Sequence, residues 1–177
     1  MIAFLLILFF GITGITLNHP TWTFGDGLTT STLNGTLPMT PVLADGTPDY
    51  LLISEFARSE LAVHGSVDSF ETLDGVIGIS YRNPGYAAEL FVQEANGSYE
   101  LTVEQAGWVA AMNDLHKGRD TGTGWRWVID LSAGFLVLVS LSGLLMQFFL
   151  RRRRRSAFIS VGVGAAISLL FIMWVLR

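Results

Sequence analysis

Five consecutive arginines, Arg151 to Arg155, separate two long apolar runs, Trp127 to Leu150 and Ala157 to Leu176. About 20 apolar residues coiled as a helix match the thickness of a bilayer core. A short Arg-rich loop between two such stretches stays on the cytoplasmic side. The pattern predicts two transmembrane helices joined by a tight cytoplasmic turn, and the rest of the chain has to be arranged around that hairpin. An arginine run also suits nucleic acid. With a span on each side, it is read as a topology anchor that touches anionic lipid headgroups.

Charge supports the same layout. Between Pro20 and Gly124 the chain carries 14 acidic residues and four basic ones, Arg58, Arg82, Lys117 and Arg119. Such a split is expected of a membrane protein with an exported acidic domain, and an acidic domain repels nucleic acid. The absence of cysteine rules out disulfides, thiolate catalysis, zinc–thiolate sites and iron–sulfur clusters. No Gly-x-Ser-x-Gly, His-Glu-x-x-His or phosphate-binding glycine loop occurs. No catalytic residue is assigned, and no nucleotide is expected.

Met1 to Leu17 is almost wholly apolar. A cleaved signal peptide wants a positive n-region and a small-residue cleavage site. Neither is present, so the segment is read as a retained first transmembrane helix of only just sufficient length, with an abrupt start. Parity then fixes the expected order. Residues 1–18 are the first span, and 19–124 an external domain ending in a helix that leads to the membrane. Residues 125–150 are the second span, 151–156 the cytoplasmic arginine loop and 157–177 the third span.

Within the external segment, Thr21 to Thr47 is rich in turn residues, with short strands expected near Thr21–Phe24 and Leu28–Leu33. Asp49 to Leu61 has helical apolar spacing. Strands are expected over Val63–Phe70, Val76–Tyr81, Ala87–Glu94 and Tyr99–Glu104, with turns at Asn83-Pro84-Gly85 and Ala95-Asn96-Gly97. Alternation in these strands predicts a sheet with one buried face, which the Asp49–Leu61 helix would cover. A second helix, Trp108 to His116, would lead to the membrane. The expected fold is therefore three membrane helices plus a small α+β domain, one helix on an antiparallel sheet.

His19 and His116 fall where the first span leaves the bilayer and shortly before the second enters it. Two imidazoles at one depth can hold a haem iron from opposite faces or bind a divalent metal, with Asp114 or Asn18 orienting a ring. The plainer reading is that both cap helix ends or bond interfacial backbone. His64 is expected to be an ordinary surface or core residue. Arg126 and Asp130 are four apart at the start of the second span. They are expected to pair, with a proton relay as the alternative. Trp108, Trp125 and Trp127 suit an interfacial aromatic belt. Gly11, Gly14, Ser140, Gly143, Gly162 and Ala166 suit close helix contact.

Several of these segments resemble a known family. Gly14-Ile-Thr-Leu-Asn-His19-Pro20, Tyr81-Arg-Asn-Pro-Gly-Tyr86, Asn113-Asp-Leu-His-Lys-Gly-Arg-Asp-Thr-Gly122, Trp125-Arg-Trp-Val-Ile-Asp130 and Ser140-Leu-Ser-Gly143 resemble the membrane-helix proteins associated with the PepSY domain. The resemblance covers nearly the whole chain. It implies a bacterial inner-membrane protein whose PepSY-like domain is periplasmic. Some larger relatives are haem-containing reductases that release iron from siderophores, others have no assigned role, and the isolated domain is associated with peptidase inhibition. His19 and His116 match recurring histidines of that family. A His-Arg-Trp type motif usually precedes the family's first span, and this sequence starts after that point.

Two functions are thus expected. One is an accessory or binding protein whose partners are the bilayer and a membrane complex, a periplasmic protein or a second copy of itself. The alternative is a haem b redox component of periplasmic ferric-siderophore reduction and iron uptake.

Overall fold

The computed structural model describes residues 1–25, 27–149 and 154–176. The chain divides into two compact units, Leu5–Ile129 and Met1–Phe4 with Asp130–Arg177.

The larger unit is built on a five-stranded antiparallel sheet. Its strands are β1 (Thr29–Thr36), β2 (Ser66–Leu73), β3 (Val76–Asn83), β4 (Tyr86–Gln93) and β5 (Ser98–Gln105), in spatial order β1-β5-β4-β3-β2. Strands β2 to β5 form a meander because each link is short and carries turn chemistry. Asp74 and Gly75 both adopt positive φ, the tight turn that matches strand twist. In the β4–β5 turn the Gly97 amide donates to the Gln93 carbonyl, and the Asn96 side chain accepts from the Ser98 amide at 2.9 Å.

Helix α2 (Tyr50–Ser59) covers one face of the sheet. Asp49 caps it by accepting from the Leu52 amide at 3.0 Å. Ile53 and Ala57 pack into a core with Ile77, Ile79, Tyr81, Ala88, Leu90, Val92 and Leu101. Register explains why these residues meet: Leu101, Leu90 and Ile79 stand opposite one another across β5, β4 and β3, on one side of the pleat. Inside that core the Tyr81 hydroxyl lies 2.9 Å from Ser54 Oγ, so neither buried polar group is stranded.

Helix α1 (Ile2–Asn18), α3 (Trp108–Lys117), α4 (Thr123–Phe149) and α5 (Arg154–Val175) complete the chain. Two segments, Thr123–Met146 and Phe158–Val175, are long and apolar enough to cross a membrane; α1 is apolar but shorter. Leu131, Val137, Leu138, Ile167 and Leu170 stay exposed, a surface that water rejects and lipid accepts.

The expected helix on an antiparallel sheet is present, with local corrections. No strand forms over Thr21–Phe24; Phe24 has φ 51°, outside the strand region. The strand expected over Val63–Phe70 starts three residues later, because Val63 is buried in the core and its amide bonds the Ala57 carbonyl at the end of α2. The predicted Leu28–Leu33 strand runs over Thr29–Thr36 as the edge partner of β5.

Candidate functional site

The segment Asn113 to Arg119 joins α1, the β3–β4 turn and the start of α4. Asp114 is buried near the C-terminal end of α3. Its Oδ2 accepts from the Gly85 amide at 3.0 Å, and its Oδ1 accepts from Arg119 Nη2 at 2.9 Å. Gly85 has φ +69°, and a Cβ there would lie 2.9 Å from the Ala111 Cβ, so the turn can meet α3 this closely only as glycine. Gly118, at φ +66°, closes α3 in the left-handed cap. The Trp125 indole then donates to the Leu115 carbonyl at 2.8 Å, tying the first turn of α4 to α3.

His116 and Asn113 face α1. The Thr16 hydroxyl lies 2.6 Å from Asn113 Oδ1 and 2.9 Å from the Thr13 carbonyl. The Thr13 hydroxyl donates to the Phe9 carbonyl at 2.6 Å and lies 2.5 Å from His116 Nδ1. A hydroxyl has one proton, and a carbonyl can only accept. With the Thr13 proton directed to Phe9, His116 Nδ1 carries its own hydrogen and donates it to Thr13. Neutral His116 is then the Nδ1–H tautomer, with the lone pair on Nε2. The Phe10 ring meets the imidazole edge-on, with centroids 5.0 Å apart.

The structure gives His19 a different environment. It is exposed and stacks on Trp22, with ring centroids 4.1 Å apart and planes 11° apart. Asp114 does not orient either imidazole; it is committed to Gly85 and Arg119. His64 is exposed near Tyr86, whose hydroxyl accepts from the His64 amide at 3.3 Å. Arg126 and Asp130 both lie on α4, and both are exposed. Of the arginine run, Arg151, Arg152 and Arg153 lie outside the described residues, Arg154 begins α5, and Arg155 is exposed. Trp108 and Trp127 are exposed, whereas Trp125 is half-buried and bonded to Leu115.

A cleft of about 640 Å³ opens beside this junction, lined among others by Trp22, Arg82, Glu104, Lys117, Arg119 and Asp120. Arg82 pairs with Glu89 at 2.8 Å, and Arg119 reaches Asp114 and Asp120. Lys117 is exposed and has no ion-pair partner among the described residues. No group of three or more His, Asp or Glu side chains able to hold a metal occurs among the described residues. In the domain core, burial pushes the Tyr81 hydroxyl above its usual range, opposed by the Ser54 hydrogen bond.

Thr13 and Thr16 were not singled out by sequence reasoning. Their signal is two hydroxyls three residues apart in a helix otherwise almost free of polar side chains.

The family described as "Putative PepSY_TM-like" matches residues 1–177. The chain belongs to this family. No curated protein and no solved structure matches it. Membership together with the two long apolar helices makes the chain a membrane-associated PepSY protein.

Proposed function

We propose that the chain is a three-span accessory protein of the bacterial inner membrane, holding its acidic PepSY-type domain in the periplasm to bind a partner within a larger membrane complex. The observation that carries this reading is the inverted surface of α1. Its only buried residues are Thr13 and Thr16, while Phe4, Leu5, Ile7, Leu8, Ile12 and Ile15 are all more than half exposed. A helix solvated by water buries its leucines and exposes its threonines. Lipid reverses that preference, and polar side chains then turn inward to bond a neighbouring helix. At about 1.5 Å per residue, the 17 residues of α1 reach roughly 26 Å, close to the thickness of a hydrocarbon core. The hydrogen-bonded seam to α3 would then hold the domain in a fixed pose at the membrane surface, as a display module needs.

Two experiments test the proposal. A periplasm-active reporter fused after residue 90 should be active; activity only from a cytoplasm-specific reporter would overturn the topology. Extraction in mild detergent should bring a partner protein or a second copy with the chain, and a strictly monomeric, unaccompanied protein would remove the accessory role.

A second reading has one specific observation behind it. Ligating histidines usually donate the second ring N–H to a neighbour, which fixes the tautomer. His116 fits that arrangement when its Nδ1–H is bonded to Thr13, which leaves the lone pair on Nε2. Haem b held through His116, with His19 as the second ligand, would supply electron transfer toward a periplasmic ferric substrate. The chain's own contribution is to hold the imidazole in one tautomer beside Phe10. Protein purified from haem-replete cells should then show a reduced haem band that His116→Ala abolishes. A colourless protein removes this reading and leaves the first intact.

A further inference from the structure

Four aromatic rings form a continuous exposed ladder where α1 ends. His19 stacks on Trp22 at 4.1 Å, Trp22 meets Phe24 at 6.3 Å, and Phe24 lies over Trp108 at 6.4 Å with planes 29° apart. Trp22, Phe24 and Trp108 remain 45%, 67% and 59% exposed. Phe24 also holds φ 51°, a left-handed backbone costly for a bulky residue. The domain leaves roughly half or more of each of Trp22, Phe24 and Trp108 open. Contiguous exposed apolar area of this kind marks an interaction site.

Three features identify what covers it. The ladder begins one residue after α1, whose outward side chains are apolar and exposed, so the two surfaces are continuous along the chain. Tryptophan and histidine combine a flat apolar body with a ring N–H, which suits the layer between hydrocarbon and water. Trp22 has no hydrogen-bond partner for its indole N–H among the described residues. Finally, the acidic domain has only four cations, and Arg82, Lys117 and Arg119 all line the cleft that Trp22 also lines. Lys117 is the one of these three without a carboxylate partner among the described residues, and a lipid phosphate would supply its counter-charge.

We propose that His19, Trp22, Phe24 and Trp108 form an aromatic foot that seats the domain in the phospholipid headgroup layer, with Lys117 at phosphate depth. The proposal rests on α1 spanning the bilayer. It adds that the domain lies down on the membrane and does not stand clear of it on a linker.

The absence of native cysteine allows a clean test on the full chain. Thr23→Cys, Leu8→Cys and Glu71→Cys each receive a nitroxide label after reconstitution into phosphatidylethanolamine–phosphatidylglycerol vesicles. Collision with oxygen, which prefers lipid, is compared with collision with a water-soluble nickel chelate. Thr23 lies between two rungs of the ladder, Leu8 on the outward face of α1, and Glu71 on the exposed strand β2. The expected result is oxygen-favoured collision at Leu8, chelate-favoured collision at Glu71 and an intermediate value at Thr23. Lys117→Gln with Trp22→Ala should shift the Thr23 label toward the Glu71 value. If Leu8 behaves as lipid-buried while Thr23 matches Glu71, the foot is wrong and the span stands. A Thr23 label shielded from both reagents means that protein covers the ladder, which also overturns the proposal. A chelate-accessible Leu8 removes the span and the foot together.

Discussion

Asp114 is the residue on which most of the junction converges. It joins the β3–β4 turn to α3 through Gly85 and orders the start of the α3–α4 link through Arg119. Asp114→Ala leaves a buried Gly85 amide without an acceptor, a loss of about 2–3 kcal/mol. Asp114→Asn keeps an acceptor for that amide and should cost less, so thermal unfolding in detergent should rank wild type above Asn above Ala. Gly85→Ala should destabilise by about 1–3 kcal/mol, since it combines a disfavoured φ with a clash against Ala111. The same unfolding measurement reads it. The tautomer of His116 is a separate prediction. Nitrogen NMR of the neutral side chain should place the proton on Nδ1, and Thr13→Val should remove the acceptor that selects it.

At the scale of elements, two packings use polar groups in opposite settings. Between α2 and the sheet, Tyr81 and Ser54 bond inside an apolar core. Burial raises the Tyr81 pKa above its ordinary value of 10.0, so the folded chain keeps this proton longer than the unfolded one. Stability from this group is complete below about pH 10 and is lost as pH climbs through the raised folded value. The unfolding temperature of wild type should therefore fall more steeply above pH 10 than that of Tyr81→Phe. At neutral pH the variant should be weaker by about 1 kcal/mol, because Ser54 loses its partner. Between α1 and α3 the seam is polar and the outer surface apolar. Thr13→Val with Thr16→Val should loosen α1 from α3, raising amide exchange in α3 while the core of β3 and β4 stays protected.

For the whole molecule, the dominant feature is charge segregated along the sequence by apolar segments. The segment between α1 and α4 is strongly acidic, and the densest positive charge is the arginine run between the two longest apolar segments. Positive charge in a short loop holds that loop in the cytoplasm. Replacing Arg151 to Arg154 with serine should yield a mixed population, with part of a reporter fused after residue 90 appearing on the wrong side. An unchanged distribution would mean that another part of the chain sets orientation.

Local chemistry was enough to place β2 to β5, α2, α3 and the two long apolar helices. Amphipathic period, turn residues and hydropathy each act over a few neighbouring positions, and those energies are visible in a short window of sequence. Asp49 before an apolar helical run and Asn96-Gly97 between alternating segments are of this kind. The fate of the polar side chains was not visible in that way. Thr13 meets His116 across 103 positions and Thr16 meets Asn113 across 97, so no local pattern links them. His19 and His116 look like a pair in the sequence, yet one stacks on Trp22 and the other bonds to α1. The pairing of β1 with β5 and the clamp of Asp114 on Gly85 arise in the same way. A hydrogen bond gains its strength from the distance and desolvation of both partners, and only the packed chain sets those.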